Sequence, residues 1–88
     1  GKLMNEGNYK TGEMEGLLKI YYESGQLNKE ANFENGKQEG AEKTYYENGM
    51  LKQDGNYKNN KQEGLWKFYD EKGKLEKELN YLDGVEIK

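Results

Sequence analysis

Stretches of seven or eight residues rich in Tyr, Leu, Phe and Ile follow one another along the chain, separated by turn signals about every twelve residues. Short strands at about this spacing, joined by Asn-Gly and Asp-Gly turns, are typical of a β-meander, because a helix needs a longer window of roughly 3.6-residue periodicity. The predicted strands cover residues 3–10, 16–22, 26–33, 40–46, 50–57, 64–70 and 74–81. We therefore expect an all-β fold.

The same stretches recur every 24 residues. The dipeptide Glu-Gly marks the period at Glu15-Gly16, Glu39-Gly40 and Glu63-Gly64, and other aligned sets are Leu3, Leu27, Leu51, Leu75 and Tyr9, Phe33, Tyr57, Tyr81. Because no insertion breaks the register, we predict a single repeat domain over residues 1–88, with a partial unit 1–15 and units 16–39, 40–63 and 64–88. The predicted architecture is a single-layer antiparallel β-meander of two-strand units, elongated and part of a longer array.

One turn position indicates its own backbone conformation. Gly12, Gly36 and Gly84 occupy it in three units, and Asn60 occupies it in the other. Asn is the residue that best tolerates the left-handed region for which Gly is used. The sequence therefore predicts a positive φ at all four residues.

The register of the longer hairpins can be derived in two ways that disagree. A two-residue loop at Asn48-Gly49 pairs Lys43 with Asp54 and, by repetition, forms three opposite-charge pairs, which stabilise a sheet by about 0.2 to 1 kcal/mol each. It also places the Glu-Gly glycines opposite aromatic rings that can cover them. A three-residue loop that ends in a bulged Gly suits the variable position 48 better, because only Gly49 then needs a positive φ. The charges favour the first loop, and both remain open.

In the first register the two faces of the sheet differ in polarity. One face carries Leu18, Ile20, Tyr22, Leu27 and Phe33, with Trp66, Phe68, Leu75, Leu79 and Tyr81 as later equivalents. The other face carries Leu17, Lys19, Tyr21 and Glu30 with the matching residues of later units. An apolar face left uncovered by a single-layer sheet usually marks a contact surface.

The amino-acid composition limits the catalytic and binding functions that the chain can have. The chain has no His, Cys or Arg, which removes thiolate and Ser/His/Asp nucleophiles, the usual zinc sites, and the planar guanidinium favoured for phosphate and guanine recognition. The net charge of −3 gives no attraction to nucleic acid. Carboxylates are abundant, but a single-layer sheet has no cleft to raise a carboxyl pKa. We expect no catalytic residue, no cofactor, no metal and no nucleic-acid partner.

The string Glu63-Gly64-Leu65-Trp66-Lys67-Phe68-Tyr69, followed by Gly73 and Leu75, resembles the bacterial variant of the MORN repeat (membrane occupation and recognition nexus). The similarity extends over the whole chain, with departures at Leu18 and Glu42, which stand where Trp66 stands, and at Asp70, which replaces a second Tyr. The resemblance implies a binding module with no activity of its own. Proteins with this variant are often labelled antitoxin components of toxin-antitoxin pairs, and eukaryotic relatives are associated with membrane lipids and protein scaffolding.

The predicted function is therefore a protein-protein interaction module, antitoxin-like by resemblance, with peripheral membrane or lipid-headgroup binding as the alternative. The candidate partner contacts are Trp66, Phe68, Leu79, Tyr81, Tyr22 and Tyr46. The competing structural interpretation is that repeated Leu and Tyr residues hold adjacent strands together, and that repeated Lys residues pair with acids across the sheet rather than with lipid. End strands also invite homo-oligomerisation. The absence of Cys fits the cytoplasm and the cell envelope equally well. An upstream leader can also be missing from this chain.

Overall fold

A computed structural model describes residues 4–6, 9–10 and 12–87, and all of its regular structure is antiparallel β. The strands are β1 (Met4–Glu6), β2 (Tyr9–Lys10), β3 (Glu13–Met14), β4 (Gly16–Tyr21), β5 (Leu27–Glu34), β6 (Lys37–Tyr45), β7 (Leu51–Lys58), β8 (Lys61–Tyr69), β9 (Leu75–Leu82) and β10 (Val85–Ile87). Eight of them form one open sheet in the order β1-β4-β5-β6-β7-β8-β9-β10, and β2 pairs with β3. The predicted single-layer β-meander is confirmed.

Three strand predictions need correction. β6 and β8 begin three residues before residues 40 and 64, and β3 and β10 are additional strands that were not predicted. The extra residues of β6 and β8, Lys-Gln-Glu in both, lack the Tyr, Leu, Phe and Ile that marked the predicted strands. The predicted strand 3–10 is divided, since residues 4–6 pair with β4 and residues 9–10 pair with β3. Residues 7 and 8 lie outside the described part of the chain.

The short hairpins with turns at residues 35–36, 59–60 and 83–84 close through two-residue turns in which both central residues have positive φ. Asn35 and Gly36 have φ angles of 51° and 80°, which is the type I′ geometry that matches the twist of paired strands. The predicted positive φ is confirmed at all four positions, with 82° at Gly12, 80° at Gly36, 69° at Asn60 and 84° at Gly84.

The long hairpins combine features of both predicted loops. The Tyr22 N–H donates to Gln26 O and the Gly25 N–H donates to Tyr22 O, which encloses a three-residue loop with a single positive φ, at Gly25 (96°). Three residues further along, a β-bulge at Asn28 shifts the pairing by one residue, so that Lys19 faces Glu30. The bulged loop is therefore correct, and so is the charge-pairing register that the two-residue loop predicted.

This second bulge changes one face assignment. The register pairs Tyr21 with Leu27 and Tyr69 with Leu75, and directly paired residues point to the same face of an antiparallel sheet. Leu27 and Leu75 therefore lie with Tyr21 and Lys19, not with Leu18 as predicted. Simple alternation along the strand misplaced both leucines because each bulge inserts one residue between them and the rest of the strand.

The repeated Glu-Gly dipeptide has a geometric role in the sheet. Gly16, Gly40 and Gly64 do face Phe33, Tyr57 and Tyr81 as predicted. Their φ angles are 84°, 98° and 77°, however, and a Cβ at Gly16 or Gly64 would meet no atom within 4 Å. The glycines are thus required by the left-handed backbone rather than by an aromatic ring lying over them.

The glutamate of the same dipeptide joins one unit to the next. Glu39 Oε1 accepts a hydrogen bond from the Asn59 N–H at 3.0 Å, and Gln38 O accepts one from the Asn60 N–H at 3.0 Å. Equivalent bonds join Glu15 to Asn35, Glu63 to Asp83, Met14 to Gly36 and Gln62 to Gly84. Each tight turn is therefore fixed to the strand of the preceding unit.

Candidate interaction surface

One face of the sheet holds every fully buried residue in the described part of the chain. Ala31 and Trp66 are 0% exposed, Glu42 is 3% exposed, and Gly55 is buried. Cross-strand pairing places them in one row: Leu18 faces Ala31, Ala31 also faces Glu42, Glu42 faces Gly55, and Trp66 faces Leu79. We call the face that carries this row the tryptophan face, and the opposite one, which carries Lys19, Lys43 and Lys67, the lysine face.

The indole of Trp66 fills the space left open by a glycine. A Cβ built on Gly55 would lie 2.1 Å from Trp66 Cδ2, so the ring lies directly against the Gly55 backbone. The indole Nε1–H donates to Asn56 O at 3.1 Å. The indole N–H is paired and the ring is enclosed, so Trp66 stabilises the sheet and exposes no surface to a partner.

Three other aromatic rings surround Trp66 and stay half-buried. Tyr57 and Tyr81 meet the indole edge to face, with centroid distances of 5.3 and 6.2 Å, and Phe68 is stacked at 6.5 Å. The Lys77 ammonium lies 5.1 Å from the Phe68 ring centroid, within cation–π range. The third unit, together with Tyr57 of the second, therefore presents an aromatic cluster that is only partly buried.

The middle of the row is polar. Glu42 stands at the position of Trp66, and its carboxylate forms an ion pair with Lys29 at 3.4 Å and accepts a hydrogen bond from Gln38 Nε2. Burial, followed by the Glu42 charge, raises the pKa of the nearby Tyr57 hydroxyl above its usual value. The tryptophan face thus changes along the array from aliphatic, through a paired charge, to aromatic.

Tyr22 and Tyr46, two of the predicted contact residues, make bonds between units. The Tyr22 hydroxyl donates to Tyr45 O at 2.8 Å, and the Tyr46 hydroxyl donates to Tyr69 O at 2.7 Å. The Lys52 ammonium lies 5.5 Å from the Tyr46 ring centroid. Both tyrosine side chains therefore connect neighbouring units.

Charges of alternating sign cross the lysine face in one row. The register places Lys19, Glu30, Lys43, Asp54, Lys67 and Glu78 side by side. The Tyr45 hydroxyl donates to Glu30 Oε1 at 3.1 Å, and burial together with this bond raises the Tyr45 pKa. Each repeated lysine therefore has a carboxylate beside it.

Four of the predicted contact residues, Trp66, Phe68, Leu79 and Tyr81, lie on the tryptophan face, and Tyr22 and Tyr46 directly follow the last residues of β4 and β6. Trp66 is enclosed, whereas the other five are half-buried. A second set was not predicted: Leu82, Val85 and Ile87 are 55%, 67% and 52% exposed. A signal for them existed, since they are apolar at repeat positions that are charged in every other unit.

Other kinds of site receive no support from the described residues. Within them, no group of three or more Asp and Glu side chains could hold a metal ion. No helix in that part of the chain is long and apolar enough to cross a membrane.

The fold and surface define a β-hairpin repeat protein with one face that holds its buried residues and is partly aromatic. The family model of the MORN repeat variant matches three times, at residues 14–35, 38–59 and 62–83, so the chain belongs to this family. The matches start 24 residues apart, which confirms the period read from the sequence. MORN repeats are generally modules that bind proteins or membrane lipids. Neither the curated proteins nor the solved structures contain a significant match.

Proposed function

We propose that this chain is a non-catalytic protein-interaction module that binds a protein partner through the tryptophan face of its third unit. The observation that carries the proposal is the half-buried cluster of Tyr57, Phe68 and Tyr81 around the enclosed Trp66. Aromatic side chains are enriched at protein interfaces, where they combine apolar area with a low entropic cost of ordering. A buried indole beneath them keeps the exposed rings in fixed positions before a partner arrives.

Within this proposal Phe68 is the main contact and Trp66 its support. Phe68 has the smaller residues Ile20 and Thr44 at its repeat positions, so its ring is not required by the repeat itself. Tyr81, by contrast, is aromatic in every unit, which fits a structural role as well as a contact role. An antitoxin-like function is one form of this proposal, in which the partner is a small protein whose activity is blocked by the contact.

Lipid-headgroup binding is the alternative within the same family. Anionic membranes attract surfaces with several uncompensated basic residues, each worth about 1 kcal/mol. Here the register sets Lys19 beside one acidic residue and Lys43 and Lys67 each between two, and the chain carries a net charge of −3. These charges favour the protein partner, and sedimentation with anionic and neutral vesicles separates the two proposals.

The proposal is tested by photocrosslinking in cells that naturally express the protein, with the crosslinker at residue 68, followed by affinity measurement with the purified partner. F68T, which installs the residue of Thr44, should weaken binding by about 2 kcal/mol or more, as expected of a central aromatic contact. The matched control is L65A, which installs the residue of Ala41 on the lysine face of the same strand. Loss of affinity in L65A with none in F68T would place the contact on the wrong face and refute the proposal.

A further inference from the structure

The last hairpin departs from the repeat at three exposed positions. Residue 82 is Leu where the earlier units have Lys10, Glu34 and Lys58; residue 85 is Val where they have Glu13, Lys37 and Lys61; residue 87 is Ile where they have Glu15, Glu39 and Glu63. Three aliphatic residues thus stand at positions where the earlier units carry nine charged residues in all. Burial does not explain the change, because all three side chains remain more than half exposed.

The three side chains form one patch on the lysine face. Val85 pairs with Leu82 across the hairpin, and Ile87 pairs with Asn80, the residue that also faces the exposed Leu65. Exposed charged residues normally keep the edges of a sheet from pairing with other chains. At this edge the charges of the repeat have been replaced by aliphatic groups, which has the opposite effect.

The backbone of β10 continues a series of hydrogen-bond acceptors that the rest of the array uses. Met14 O, Gln38 O and Gln62 O each accept an N–H from the turn of the following unit. Glu86 O is the next member of the series by the 24-residue period. Glu86 and Tyr81 follow the hydrogen-bonded pair Val85–Leu82 at the turn and form a non-hydrogen-bonded pair, so the Glu86 carbonyl points to the outer edge of β10.

A following repeat of the usual kind would not fit this edge well. Glu15, Glu39 and Glu63 each accept the N–H of the next turn, and Ile87, which takes their place, has no acceptor. The edge therefore keeps the backbone acceptor but exchanges the carboxylate for an apolar contact.

We propose that β10 is a docking edge for an extended segment of another protein, which adds to the sheet as one further strand. The segment would carry apolar residues at alternate positions, against Val85 and Ile87, and a basic residue between them, opposite Glu86. Glu86 lies on the tryptophan face and forms no ion pair within the described part of the chain, so a Lys or Arg directly across would complete an opposite-charge pair. Strand addition of this kind uses the backbone for affinity and alternate side chains for specificity.

The size of the edge favours such a segment over a second folded copy. A stable interface between two folded proteins buries roughly 800 Å² on each partner. A three-residue strand and three partly exposed aliphatic side chains offer far less, which suits a short extended segment. This edge is separate from the aromatic cluster of the tryptophan face, so the inference does not depend on the partner proposed above.

The test uses the 88-residue chain and the acetylated, amidated peptide Thr-Val-Lys-Val-Lys-Val-Thr, followed by amide NMR. Binding should shift the amides of Val85, Glu86 and Ile87 and slow hydrogen exchange at Glu86. The double variant V85K/I87E restores the residues of Lys61 and Glu63, which the same fold already accepts, and should lower peptide affinity at least roughly tenfold. A peptide with Glu in place of Lys should also bind more weakly.

Two controls separate this proposal from the preceding one. F68T should leave peptide affinity unchanged, because residue 68 lies on the other face and away from β10. The unfolding midpoint of V85K/I87E should match that of the original chain. The proposal is overturned by no binding at millimolar peptide, by equal affinity in V85K/I87E, or by shifts confined to the tryptophan face.

Discussion

Trp66 and Gly55 are complementary partners on adjacent strands: the indole occupies the space in which a side chain at residue 55 would lie. The equivalent two positions one repeat earlier hold Ala31 and Glu42, again a small residue beside a larger one. Neighbouring residues in the row therefore have complementary sizes: the largest side chain, Trp66, lies beside Gly55, which has none. This pairing gives a single-layer sheet one fully enclosed large residue.

Substitution of Gly55 by Ala should destabilise the protein. The new Cβ would overlap the indole ring, and overpacking of this kind costs about 1–3 kcal/mol. The double variant G55A/W66L should recover part of the loss because the smaller side chain makes room for the new Cβ. Urea unfolding measures both, and additive losses in the double variant would show that the two residues do not share this space.

The ion pair between Lys29 and Glu42 predicts opposite effects for two substitutions. K29Q, which installs the residue of Gln53, removes the cation and leaves a buried carboxylate short of one partner, at a cost of about 1–3 kcal/mol. E42L, which installs the residue of Leu18, removes the buried charge and should be neutral or stabilising. Free energies of unfolding at neutral pH test whether K29Q is less stable than E42L. A larger loss of stability in E42L than in K29Q would contradict the prediction.

The bond from the Asn59 N–H to Glu39 predicts a local effect. E39A should cost about 0.5–1.5 kcal/mol, because it removes the acceptor of a turn N–H. Hydrogen exchange at Asn59 should become faster, while exchange at Asn35, which bonds to Glu15, should stay as it is. Equal acceleration at both turns would mean that the array opens as a whole rather than unit by unit.

Asp70 should give the protein an acid-sensitive loop. Its Oδ1 accepts the Lys74 and Lys72 N–H groups, each at 2.9 Å, and these bonds lower the pKa of the carboxyl below its usual value. A lowered native pKa stabilises the fold fully above the unfolded value of about 3.9, and this contribution is lost as pH falls through the native pKa.

The comparison that isolates this effect is with D70N. Below about pH 4 the free energy of unfolding of the original chain should fall more steeply with acid than that of D70N. A carboxyl-detected NMR titration should place the Asp70 midpoint below the usual value. Parallel acid curves for the two proteins would assign the acid response to other carboxylates.

The amino-acid sequence by itself determined the period, the turns and the pairing of charges. Turn residues such as Asn60 indicate their backbone conformation because few residue types accept a positive φ. The pairing of Lys43 with Asp54 followed from charge, since one residue of slippage would set like charges together. These features are local or repeat at a fixed interval, so each can be recognised from the residue types and their spacing.

Only the tertiary structure decided which residues are enclosed and which face each leucine takes. The bulge at Asn28 moves Leu27 to the lysine face, because one extra residue reverses the alternation, and no residue type marks that bulge. The enclosure of Trp66 depends on the absence of a side chain at Gly55, eleven residues earlier on a neighbouring strand. Such contacts depend on the space between strands, which is fixed when the sheet assembles and not by either residue alone.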